Sequence, residues 1–198
     1  GVEIGRWGAI RVKRGMETNL PHVYAAGDCA ETYHRLLDRH VYLPLGSTAH
    51  KQGRVAGENA AGGQALFAGT LGTQVVKVFG LVAARSGLRE DEARAAGFDP
   101  LTVGVETWDH KAYYPCAQLL HMRLTGDRRS GRLLGAQIVG PRGAEVSKRI
   151  DVCAAALFAG LSVEALSEMD LSYTPPLSTP WDAVQMAAQA WLAARQAG

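Results

Sequence analysis

The side chains of this chain that could carry redox or proton-transfer chemistry are three cysteines, six histidines and six tyrosines. Cys29, Cys116 and Cys153 are odd in number and far apart, with no Cys-x-x-Cys pair. Neither a disulfide framework nor a zinc site is indicated, and reduced thiols are expected. The histidines form no His-Glu-x-x-His motif and no paired spacing, so no metal is expected. Phosphate-loop, nucleophile-elbow and Ser/His/Asp motifs are absent as well. There are 23 glycines, yet no two are spaced Gly-x-Gly, the spacing that lets a backbone approach a pyrophosphate at a helix N-terminus.

What remains is a small set of residues at turns. Asp28 follows Gly27 at the end of a short apolar run, where a carboxylate ordinarily accepts local backbone N–H groups. Thr48, Ala49 and His50 fall in the first turn of a helix, where free amides and the macrodipole favour negative charge. Tyr113 and Tyr114 precede Pro115, and Tyr173 precedes Thr174-Pro175-Pro176, a rigid segment that fixes its direction. The ordinary fate of such tyrosines is half-burial.

The elements that must position these residues fall into two parts, 1–68 and 69–198. In the first, 9–12 and 22–26 read as short strands, and a breaker-rich loop leads through Pro44 and Gly46. A helix then opens with Ser47 as its N-cap and ends at Gly62-Gly63. In the second, strands are expected around 75–79, 101–108, 120–124 and 133–139. The last two form a hairpin about Thr125–Gly131. A short charged helix spans 89–96. A longer one places Val146, Ile150, Cys153, Leu157 and Phe158 on one face and stops at Gly160, and a last helix covers 182–194. This succession is α+β with an antiparallel sheet and flanking helices.

Composition narrows the classes. Across 198 residues, 21 Lys and Arg offset 19 Asp and Glu to leave +2, too little to argue for nucleic acid or an anionic membrane. The longest apolar stretch, Val152–Ala159, is far short of the ~20 residues a membrane span needs. No secretory leader pattern opens the chain, so a cytoplasmic location is expected.

Three stretches carry a resemblance. Thr18-Asn19-Leu20-Pro21-His22-Val23-Tyr24-Ala25-Ala26-Gly27-Asp28 resembles the second flavin-binding motif of the pyridine nucleotide-disulfide oxidoreductases. Leu45 to Arg54 is similar to the helix that follows that motif. The stretch from Tyr113-Tyr114-Pro115 through Lys148-Arg149-Ile150-Asp151 to Leu171–Pro176 resembles the dimerisation domain of the single-cysteine branch. That branch includes coenzyme A-disulfide reductases, NADH oxidases and peroxidases. The blocks occur in the family's order and cover nearly all of the chain.

The resemblance implies the end of an FAD-binding domain followed by a whole dimerisation domain, forming a homodimer through 69–198. The family's N-terminal FAD fingerprint, redox cysteine and NAD(P)-binding insert are not in this sequence, so the chain by itself is expected to catalyse nothing. In the intact enzyme, FAD would be reduced by NADH or NADPH and pass electrons to the cysteine. Asp28 would accept a hydrogen bond from the ribityl chain, with Gly27 allowing close approach. The amides of Thr48 and Ala49 would face flavin N1 and O2, and Tyr173 would approach the same ring. His50, Tyr113 and Tyr114 would contact substrate. Tyr173, Tyr114 and Tyr113 would act across the subunit interface, as phenols donating to a thiolate or peroxide leaving group.

Two positions depart from the pattern. Trp181 stands where some coenzyme A-disulfide reductases have a lysine for the cofactor's phosphates, and Cys116 stands where glycine is usual. The glutathione-reductase branch is disfavoured because no His-Pro dipeptide occurs. The competing readings are an isolated dimerisation module that binds no flavin, and a part of an NADH oxidase, peroxidase or persulfide reductase. The substrate stays open among coenzyme A disulfide, persulfide, oxygen and peroxide.

Overall fold

The computed structural model describes residues 1–197, which form two compact units, the first ending at Gly72 and the second starting at Thr73. In the first unit, Val12, Met16, Ala30, Val55 and Phe67 form a small core, with Ile10, Ala25 and Tyr33 packed against it. Helix α1 (Gly46–Ala60) turns Thr48, Gln52, Val55 and Asn59 inward, a spacing of three to four residues that keeps one face buried.

Several local expectations change here. Segments 9–12 and 22–26 are not strands; each makes only isolated bridges, Ile10 with Ile4 and Ala30, and Tyr24 with Glu17. A ladder needs several consecutive pairs. Left-handed backbone at Met16 (φ 69°) and His22 (φ 61°) turns the chain away after one. The breaker-rich loop instead contains a hairpin, β1 (Thr32–His34) with β2 (Arg39–Val41). Ser47 is not the N-cap of α1. Leu45 holds that position in extended conformation (φ −138°, ψ 128°), because the helix starts at Gly46 and places Ser47 inside the first turn.

The second unit is a five-stranded antiparallel sheet in the order β3 (Gln74–Val78), β4 (Leu81–Gly87), β7 (Leu133–Pro141), β6 (Leu119–Asp127), β5 (Pro100–Trp108). Alternation in β6 buries Leu120, Met122 and Leu124 and leaves Leu119, His121 and Arg123 outward. The buried side of the sheet meets α3 (Val146–Ala159) and α5 (Ala183–Ala197); α2 (Glu90–Ala95) lies beside β5 and α4 (Val163–Ser167) beside α5. At the bulge between Thr125 and Gly126 the fully buried ring of Trp191 packs so close that a Cβ on Gly126 would sit 2.7 Å from it. The Trp191 indole N–H then donates to the Leu101 carbonyl at 2.8 Å. The α+β class, the antiparallel sheet and the flanking helices are those expected. Phe158 is an exception: it is 51% exposed, one position past the stripe defined by Ile150, Cys153 and Leu157.

Candidate functional site

The candidate residues fall into two groups, one in each unit. In the first unit, Gly27 takes φ +82°, and a Cβ there would lie 3.5 Å from the Cβ of Ala49 in the first turn of α1. The 3.5 Å approach is ordinary contact; it is the left-handed backbone at Gly27 that favours a residue without a side chain. The Gly27 N–H donates to Oε1 of Gln52 at 2.9 Å, and Nε2 of Gln52 donates to the Glu31 carbonyl at 3.3 Å. Gln52 is 1% exposed, so this buried amide ties the turn to the helix on both sides. Asp28, the next residue, points its carboxylate from an exposed position.

In the first turn of α1 the amides of Thr48 and Ala49 are engaged within the helix. Thr48 and Ala49 both donate to the Leu45 carbonyl, at 3.0 and 2.9 Å. Thr48 is buried, with its hydroxyl 3.3 Å from that of Thr70. The amides left over at the start of the helix are those of Gly46 and Ser47. Hence Thr48 and Ala49 shape the site by packing, and the free donors lie just before them. His50 is exposed in the same turn.

In the second unit the tyrosines sit on two connected loops. Tyr113 is 74% exposed, and its ring centroid lies 5.2 Å from that of Tyr114. Their loop is closed at its base by buried Asp109, whose carboxylate accepts from the amides of His110 (2.9 Å) and Gln118 (2.8 Å). Lys111 N–H donates to the Pro175 carbonyl at 3.2 Å and so joins this loop to the segment bearing Tyr173. Behind both lies Arg149, 7% exposed. Its guanidinium donates to the carbonyls of Asp109 and Ala144, each at 2.6 Å, and to the Asp182 carboxylate at 3.1 Å. Asp182 also accepts from the Ser178 hydroxyl at 3.2 Å. Arginine's rigid fork of donors suits this task, because one side chain reaches three segments of chain.

Sequence reasoning missed Gln52, Asp109, Arg149 and Asp182. For Gln52 the available signal was a polar side chain recurring at helical spacing with Thr48, Val55 and Asn59 on the one buried face of α1.

The cysteines separate by environment. Cys153 is fully buried, and burial together with the nearby Asp182 charge pushes its thiol up to about 12, so it stays protonated and inert. Cys29 and Cys116 are exposed. Cys116 holds φ +67°, a left-handed conformation that favours glycine, which accounts for the glycine expected at this position in the resembling family. Among the described residues no group of His, Cys, Asp and Glu could hold a metal ion, and no helix is long and apolar enough to cross a membrane.

Two family models match separate stretches of the chain. Residues 73–184 match the family "Pyridine nucleotide-disulphide oxidoreductase, dimerisation domain", and residues 1–53 match "Pyridine nucleotide-disulphide oxidoreductase". The chain is 40% identical over 182 residues to an NAD(P)H coenzyme A polysulfide/persulfide reductase of Pyrococcus horikoshii, covering 92% of this chain and 40% of that protein. It is 36% identical over 186 residues to a coenzyme A disulfide reductase of Staphylococcus aureus, covering 93% and 42%. A solved NAD-dependent persulfide reductase from A. fulgidus superposes with TM-score 0.93 at 40% identity, over 99% of this chain and 36% of that one. The chain thus spans about 40% of the length of the relatives it matches. With a sheet, helices and motif blocks matching along nearly its whole length, the chain belongs to the pyridine nucleotide-disulphide oxidoreductase family.

Proposed function

We propose that this chain is the C-terminal region of an FAD-dependent, NAD(P)H-using reductase of coenzyme A disulfides or persulfides. In this reading residues 73 onward pair two subunits. The observation that carries it is the convergence of the Gly27–Asp28 turn on the first turn of α1, held by Gln52 and Ala49.

The residues present fit a flavin. Gly27 holds a left-handed turn against the first turn of α1, Asp28 offers an exposed acceptor, and the Gly46 and Ser47 amides offer two donors at a positive helix end. FAD, when bound, supplies the electron transfer. The chain's own residues do the rest. Asp28 accepts a ribityl hydroxyl proton in a hydrogen bond, and Gly46 and Ser47 stabilise negative charge at the N1 and O2 edge. His50 stands beside that edge for substrate.

The tyrosines act on the partner subunit's sulfur chemistry. A phenol of Tyr173, or of Tyr113 or Tyr114, donates a proton to a departing thiolate. Its direction is fixed by the Lys111–Pro175 link and by Arg149. The relatives that are 36–40% identical to this chain over the matched stretch are named for coenzyme A disulfides, polysulfides and persulfides, which favours a sulfur substrate over oxygen or peroxide.

The test is to add FAD to the purified chain and record the visible spectrum after desalting. Retained flavin that is lost in Asp28→Ala and in Gly27→Val supports a working half-site. Retention unaffected by both substitutions, or no retention at all, refutes flavin binding by this chain and leaves an isolated dimerisation module. NAD(P)H-dependent turnover by the chain alone would refute its assignment as a fragment without the nucleophile.

A further inference from the structure

The sheet face turned away from α3 and α5 carries a hollow of about 730 Å³ between α2 and strands β5, β6 and β7, lined by none of the residues of the flavin turn or the tyrosine loops. Its α2 side is matched in charge. Arg94 pairs with Glu90 at 2.7 Å, Arg89 with Asp91 at 3.3 Å, and Glu92 with Arg85 at 2.6 Å and Arg89 at 3.2 Å. Three carboxylates thus answer three of the four guanidiniums, and the surplus is Arg123 on the strand floor. Arg123 is exposed and makes no hydrogen bond or ion pair among the described residues. Glu106, which shares its sheet face, is taken by Nδ1 of His121 at 3.2 Å.

Other donors at the floor are open as well. Gln137 stands opposite Arg123 on β7, and its side-chain amide has no hydrogen-bond partner among the described residues. Nε of Arg85, opposite Gln137 on β4, is buried without a partner. Thr102 and Thr125 share one contact of 2.9 Å between their hydroxyls. Thr125 is 2% exposed and has no other acceptor among the described residues, so it is the donor, and the Thr102 hydrogen is left for the hollow. Gly104, opposite Arg123 on β5, has open space where a Cβ would stand, which leaves the guanidinium uncovered on that side. An unpaired guanidinium fork, an amide and a hydroxyl around a volume of small-molecule size are the complement of an oxyanion. We infer that this hollow binds a small organic acid by its carboxylate or phosphate head, held on Arg123, Gln137 and Thr102. The inference stands on the second unit alone, so a failure to bind flavin leaves it untouched, and its own failure leaves the flavin reading untouched.

Amide NMR shifts of the isotope-labelled chain test it, with succinate, glycerol 3-phosphate and uncharged glycerol as titrants in a chloride buffer. The expected result is saturable shifts at Gly104, Arg123 and Gln137 for an anion and none for glycerol. Affinity should fall about tenfold or more in Arg123→Met and by less in Thr102→Val. It should be unchanged in Lys77→Met, which removes the same charge from an exposed position on β3 of the same sheet. Arg123 is exposed, so the amide shifts of α3 should stay in place in its variant, and lost binding then reads the site and not the fold. Tighter binding of succinate identifies a carboxylic acid as the ligand, tighter binding of glycerol 3-phosphate identifies a phosphate ester, and equal affinity identifies the oxyanion head as all that is read. The inference is overturned if neither anion saturates by about 50 mM, or if the shifts scatter over the basic surface. It is also overturned if Arg123→Met and Thr102→Val both bind like the parent, or if Lys77→Met loses as much affinity as Arg123→Met.

Discussion

Replacing Arg149 with methionine should destabilise the second unit by about 3–5 kcal/mol, the cost of leaving one charge of a buried pair alone. The partners are severe about this. The side chains of Arg149 and Asp182 are 8% and 12% exposed, so little water reaches the abandoned carboxylate. Asp182 would keep the Ser178 hydroxyl and the Val184 amide, which places the loss toward the lower end. The carbonyls of Ala144 and Asp109 would each lose a donor as well, which works against that relief and keeps the loss within about 3–5 kcal/mol. Urea unfolding followed by the fluorescence of buried Trp191 reads this unit, and with a slope of about 2 kcal/mol per molar the midpoint should drop by about 1.5–2.5 M. Removing both charges in Arg149→Met with Asp182→Leu should restore part of the loss, with a coupling of about 2 kcal/mol or more. A single-variant loss under about 1 kcal/mol, or no coupling, would refute the claim that this pair holds the two tyrosine loops together.

Two further outcomes follow from the same geometry. Burial alone would raise the Asp127 carboxyl, but the Ser130 hydroxyl, the amides of Asp99 and Ser130 and the Arg129 guanidinium hold it below its ordinary 3.8. A depressed folded value stabilises above the unfolded value of about 3.9 and is lost as pH falls through the folded one. Urea midpoints should therefore drop below about pH 4, and the drop should be shallower in Asp127→Asn; identical acid profiles would sink the assignment. Thiol titration with an aromatic disulfide reagent should count two groups in the native chain, Cys29 and Cys116, and the third, Cys153, only after denaturation. Three fast groups would show that the α3 face opens.

Periodicity was enough for much of the fold. Alternation of Leu120, Met122 and Leu124 with His121 and Arg123 specifies a half-buried strand whatever its neighbours, and β6 forms there. The charged helix before Gly97 and the apolar stripe of α3 follow from equally local rules. Where a local pattern was short the sequence misled. Residues 22–26 look like a strand by composition, but a strand exists only with a paired neighbour, and one bridge to Glu17 is all this segment finds. The same limit hid β1 and β2, three residues each.

By itself the sequence determined the class of fold, the order of the motif blocks and the family, because these rest on residue types in register along the chain. Gly27, Asp28 and the tyrosines are candidates named from it on the same ground. Which amides stay free could not, since that depends on where α1 begins, and Leu45 accepting from Thr48 and Ala49 moved the open donors to Gly46 and Ser47. Nor could the partners of Gln52 and Arg149, which lie 25 residues away at Gly27 and 40 residues away at Asp109. Contacts across such separations are chosen by packing, which requires every buried donor and acceptor to find a partner at the same time. Only the tertiary structure brings these partners together, and only there do two tyrosine loops become one connected surface.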